Sequence, residues 1–144
     1  MPEQQTRRVT QTLTVHCVDP SGIFRQLPAE FSFDSADPYA VWISVPHGDE
    51  VARWALCRSL VSRGLTDPVG EGAVQLWPST NEAGTGVVVL DLRSPDAEVV
   101  AEVSTRELYR FLTRTLAMVP FGSERRHLDV DRLISELLDG SLPE

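Results

Sequence analysis

The chain has 144 residues, 42% of them hydrophobic, enough for one ordinary domain with a real core. Its net charge of -8 and pI near 4.8 argue against a general phosphate-binding surface, which needs an excess of basic residues. A local basic patch stays open, because net charge is not the whole field.

No run of about 18 apolar residues occurs, so no membrane-spanning helix is expected. The opening MPEQQTRRVTQ lacks the apolar stretch of a signal peptide, and a cytosolic protein is expected. Cys17 and Cys57 form no CxxC, so the reading is two small buried hydrophobes, with a disulfide or zinc site as the minor alternative. All 13 basic residues are arginine; asparagine occurs once and isoleucine three times. Residues with AT-rich codons are scarce together, which points to a GC-rich genome rather than to a demand for arginine.

Residues 1–8 are polar and expected to fray. Apolar and polar residues then alternate from Val9 to Cys17, with β-branched residues on both sides, which predicts a half-buried strand. Asp19-Pro20-Ser21-Gly22 has turn chemistry. A second strand is predicted over Ala29–Phe33 and a third over Tyr39–Val45, with Tyr39, Val41, Ile43 and Val45 aligned inward. After the Pro46-His47-Gly48-Asp49 turn, Ala52, Trp54 and Leu56 alternate as a fourth strand. That strand runs into one or two helical turns, with Ser59 as N-cap and Gly64 as stop.

Beyond the loop Asp67-Pro68-Val69-Gly70, strands are predicted over Ala73–Trp77, Gly86–Arg93 and Asp96–Val103. Val87 to Leu90 is continuously apolar, so that strand is covered on both faces or meets another subunit. Trp42, Val87 and Val89 are the candidate subunit contacts. Ser104-Thr105-Arg106-Glu107 is a capping box, and Leu108, Phe111, Leu112, Thr115, Leu116 and Val119 follow at helical spacing until Pro120. A last helix is predicted from Asp129, burying Val130, Leu133, Ile134, Leu137 and Leu138 before Gly140. The expected fold is α+β: seven antiparallel strands, a short helix between strand groups, and two C-terminal helices. One domain is expected over 9–139, with a flexible segment 1–8 and a short tail 140–144. No internal repeat stands out.

His16, His47 and His127 are the only histidines, and neither HExxH nor zinc-spaced Cys/His sets occur. His127 with Asp129 and Asp131 has the composition of an acid–base cluster. The plainer reading makes Asp129 an N-cap, places Asp131 in a first helical turn and leaves His127 in a loop. GxSxG, GxxxxGK[ST] and GxGxxG are absent, and Gly84-Thr85-Gly86 reads as a hairpin turn. No catalytic residue, metal or cofactor is expected.

Arg106, Arg110 and Arg114 recur every four residues, which sets three guanidinium groups on one helix face. With Arg125, Arg126 and His127 they make a candidate surface for an acidic protein segment; the alternative is a solvated face. Trp42, Trp54 and Trp77 in strands could stack on single-stranded nucleic acid, or fill a core or subunit interface.

Three blocks carry a resemblance: ADPYAV (Ala36 to Val41), LWP (Leu76 to Pro78) and VPFGSERRHLDVDRLISELL (Val119 to Leu138). They resemble the SsgA-like family of actinobacterial proteins that control sporulation-specific cell division. The last block is similar to that family's Val-Pro-x-Gly-x-Glu-x-x-His-x-Asp-x-Asp ending. The match covers about residues 9 to 139, and the core blocks align without large insertions, as in the SsgB type.

The resemblance implies a Whirly-like fold assembled as a homotrimer. It also implies a non-enzymatic role in placing septa, with the tubulin-like GTPase FtsZ and an SsgA-type protein as partners. A single-stranded nucleic-acid binder is the competing reading, and a hydrolase using His127 and Asp129 is a third. In the first reading, Val119 to His127 is a joint that turns the chain between two packed helices, with Pro120 fixing φ and Gly122 tolerating unusual backbone.

Overall fold

A computed structural model of the chain describes residues 7–18 and 24–127. Eight strands form one antiparallel sheet: β1 (Arg8–Val18), β2 (Phe24–Asp34), β3 (Asp37–His47), β4 (Glu50–Cys57), β5 (Val69–Glu71), β6 (Val74–Thr80), β7 (Gly86–Arg93) and β8 (Glu98–Ser104). Two helices, α1 (Arg58–Gly64) and α2 (Thr105–Met118), each follow a fourth strand, and a 3-10 turn spans Glu124–His127. The predicted turn at 19–22, the last helix from Asp129 and both chain ends lie outside the described residues.

The strand order is β4-β3-β2-β1-β8-β7-β6-β5. It consists of two four-stranded meanders, each ending in a helix, set back to back across β1 and β8. This duplication is invisible in the residues because the two halves share topology rather than side chains. The seam is short: β1 meets β8 only from Val15–Val103 to Cys17–Ala101. With so little pairing there, the sheet curls. The indole of Trp54 on the edge strand β4 donates to the carbonyl of Arg93 at the far end of β7, 3.1 Å away.

Eight strands, rather than the expected seven, follow from β5. Val69–Glu71 pairs with Leu76–Val74, so part of the expected Asp67–Gly70 loop is a short edge strand. Two Pro/Gly-type breakers hid it. The second strand starts five residues before Ala29, and Pro28 is tolerated because β2 pairs with β3 only from Glu30 onward.

Tyr39, expected inward, is 47% exposed. Between the pairs Ser32–Trp42 and Asp34–Asp37, four residues of β3 face one of β2. This bulge breaks the two-residue alternation, turning Pro38 inward and Tyr39 outward. Val41, Ile43 and Val45 are buried as expected.

The helices fill the curl. Leu108, Phe111, Leu112 and Thr115 form the dry face of α2, and the Phe111 ring meets Phe31 edge-on at 5.8 Å. Ser104 caps the helix, its hydroxyl accepting from the Glu107 amide at 3.2 Å. Val119 leaves the helix in an extended conformation before Pro120, as a residue preceding proline must. All of Val87 to Leu90 is buried within one chain, consistent with a strand covered on both faces.

Helix α1 begins two residues earlier than the Ser59 cap predicts. Its N-cap is Cys57, whose side chain makes no capping bond. The helix crosses to the other meander at Gly64, where an added Cβ would stand 2.8 Å from the Leu76 Cβ. Gly64→Ala is therefore expected to cost about 1–3 kcal/mol through overpacking, read as a lower urea midpoint with unchanged slope. An unchanged midpoint would show that α1 can lift off β6 freely.

Candidate functional site

Fourth-strand alternation puts Ala52, Trp54 and Leu56 inward, and the next residue in phase is Arg58. It is the first residue of α1 and is 1% exposed. Its Nη1 donates to the Thr115 carbonyl at 3.2 Å and the Thr115 hydroxyl at 3.4 Å. The guanidinium lies between two rings, 4.8 Å from the centroid of Phe33 and 4.7 Å from that of Phe121. Its Nη2 stands 3.8 Å from Glu124 Oε2, too far for a hydrogen bond but close enough for an ion pair. Nε and Nη2 have no hydrogen-bond partner among the described residues.

The joint after α2 closes over this cation. Ser123 returns its amide and hydroxyl to the Pro120 carbonyl at 3.1 and 2.7 Å, and Gly122 takes φ +92°. The Gly122 amide donates to Glu124 Oε1 at 2.5 Å, aiming the other carboxylate oxygen at Arg58. Proline, glycine and glutamate thus have separate tasks: stopping the helix, permitting the left-handed turn, and presenting the counter-charge.

Burial pushes the Arg58 pKa down and Glu124 pushes it back up. Between the lowered folded value and the unfolded one, the unfolded chain binds more protons, so stability rises with pH there.

The remaining candidates are dispersed. Arg106, Arg110 and Arg114 are all exposed along α2, and Arg114 Nη1 donates to Gln11 Oε1 at 2.9 Å. Arg125 and Arg126 are exposed and His127 is half-buried, all on the 3-10 turn beyond the other end of that helix. Asp129 and Asp131 lie outside the described residues. Trp42 is half-buried with Arg53 stacked on it at 4.7 Å, whereas Val87 and Val89 are already covered.

Cys57 is exposed and Cys17 half-buried, rather than both buried, and they are unpaired. Cys57 shares the outward side of β4 with Val51, Arg53 and Ala55. Burial, then the neighbouring Glu71 carboxylate, pushes the Cys57 thiol pKa up, which keeps it a weak nucleophile. Among the described residues no group of three or more His, Cys, Asp and Glu could hold a metal ion, and no helix is long and apolar enough to cross a membrane.

The family described as Streptomyces sporulation and cell division protein, SsgA, matches residues 27–124. The chain belongs to the SsgA-like family. Arg58, Thr115, Phe121 and Glu124 all fall inside that match.

Among the relatives of this SsgA-like chain, SsgB of Streptomyces coelicolor is 43% identical over 113 residues, 78% of this chain and 82% of the relative. SsgB of Frankia casuarinae is 36% identical over 133 residues, 92% of each. Both are sporulation-specific cell division proteins. The crystal structure of an SsgA-like sporulation-specific cell division protein from Thermobifida fusca superposes with a TM-score of 0.81 at 29% identity, over 94% of this chain and 98% of that one. These matches confirm the family expected from the three blocks, and a mostly-sheet α+β architecture with it.

Sequence reasoning missed Arg58. Its signal was there: an arginine in phase with Trp54 and Leu56 on an inward face is rare unless paired.

Proposed function

We propose that this chain is a non-enzymatic regulator of sporulation-specific cell division that helps to position septa by recruiting FtsZ. The observation that carries the reading is its similarity to SsgB proteins over most of both chains. In this reading the protein works in the cytoplasm at division septa, as a homotrimer of Whirly-like subunits acting with an SsgA-type partner. The exposed arginines of α2, open to solvent along one helix, fit a role in protein contact.

The test is co-sedimentation with FtsZ from the same organism in the presence of GTP, at tens of micromolar so that weak contacts register. The expected result is protein in the polymer pellet above the control without FtsZ, with filaments stabilised or bundled. Protein left in the supernatant at every concentration would overturn direct recruitment.

A further inference from the structure

The charge of this molecule is segregated. Helices α1 and α2 carry Arg58, Arg63, Arg106, Arg110 and Arg114 but only one acidic residue, Glu107, on a chain whose net charge is -8. Arg58 is consumed internally; the other four point to solvent. Among the described residues, none of those four forms an ion pair.

A groove of about 750 Å³ opens where the C-terminal end of α1, the β6–β7 hairpin and the first turns of α2 meet. Arg63 and Arg106 line it, with Leu65, Thr85, Thr105 and Tyr109, and no acidic side chain does. The Tyr109 ring is 61% exposed and Leu65 half-buried, so the groove offers apolar surface between two cations. Asp67 stands nearby, held by the Thr66 hydroxyl at 3.0 Å.

The hairpin wall is pre-shaped. Asn81 Oδ1 accepts from the Ala83 and Thr85 amides, each at 3.0 Å, which fixes that loop without help from a ligand.

We infer that this groove docks an acidic peptide segment of a partner protein, seating one apolar or aromatic side chain on Leu65 and Tyr109 between Arg63 and Arg106. Charge complementarity selects the partner: the two helices carry five arginines against one acidic residue on an acidic molecule, so an acidic segment is drawn to the groove. Tyrosine and arginine are also the residue types that dominate contact energies. The inference rests on the reading of this chain as a protein-binding module, but names the chemistry and place of one contact.

The test is selection of random twelve-residue peptides displayed on phage against the full chain, followed by anisotropy titration of the winners. Enriched peptides are expected to combine two or more Asp or Glu with a Leu, Phe or Trp. Arg106→Glu and Tyr109→Ala are each expected to weaken them by about tenfold. Arg25→Glu, the same charge change on exposed β2, is expected to leave them within about twofold. Winners without acidic residues, or equal weakening by Arg25→Glu, would overturn the site.

A photo-crosslinker at position 109 of the full chain separates the other occupants. Crosslinks to a second copy or to residues 128–144 of the same chain would overturn docking of a partner. If groove variants lose the peptides while FtsZ still co-pellets, recruitment stands through another surface. If FtsZ never pellets while acidic peptides are selected, the groove stands and recruitment falls.

Discussion

Arg58→Ala is expected to lower the unfolding free energy by about 3–5 kcal/mol, a large share of what holds a domain of this size together. The side chain is 1% exposed and fills the space between Phe33 and Phe121, so truncation opens a cavity and strips both rings of their cation. The Glu124 carboxylate loses its counter-charge, and the Thr115 carbonyl one of its donors.

Arg58→Met separates the causes. It keeps much of the volume and the apolar contact while removing the charge, and a matched apolar replacement of a buried pair is often near neutral when both partners go. Arg58→Met with Glu124→Gln is therefore expected to cost less than the two single changes added together, by about 1 kcal/mol or more. Urea unfolding of the four proteins measures this. Additive costs would show that Glu124 does not hold the cation, and a loss under about 1 kcal/mol for Arg58→Ala would dismiss the clasp.

The second large effect is expected at Phe111. Its side chain is fully buried and meets Phe31, also fully buried, edge-on at the centre of the curl. Phe111→Ala removes the edge-on ring contact between α2 and the first meander, and is expected to cost about 3–5 kcal/mol, or a melting temperature lower by about 10 °C. Phe111→Leu keeps most of the volume and is expected to cost less than about 1.5 kcal/mol plus the lost ring contact. Calorimetry of the two variants reads both. Equal melting of wild type and Phe111→Ala would mean that α2 can leave the sheet without consequence.

The parts of this fold that could be read in advance are those set by periodicity. Alternation located β1, β3 and β4, and the three-and-four spacing of Leu108 to Val119 located α2, because one face of each is dry and the other wet. What escaped has a local cause each time. β5 is three residues long and flanked by turn residues, so no alternation develops. Tyr39 sits in a bulge, where parity fails.

The strand order could not be read because pairing of β1 with β8 depends on residues far apart in the chain. The candidate site followed the same division. The joint's proline, glycine and glutamate were visible as a block, but the arginine they close upon lies 66 positions before Glu124 and was given no role. The arginine stripe of α2 needed only helical spacing. The groove beside it needed α1 and the β6–β7 hairpin as well.

The seam between the meanders also orders events during synthesis. When the ribosome has made β1 to β4 and α1, the outer edge of β1 has no strand to pair with, and Arg58 has neither Thr115 nor Glu124. That half-chain presents an open strand edge and an unpaired cation, and it gains both complements only when the last third of the described chain emerges. Nascent chains halted before residue 98 should accordingly be captured by chaperones and attacked by proteases, and chains that expose residues to 127 should escape both.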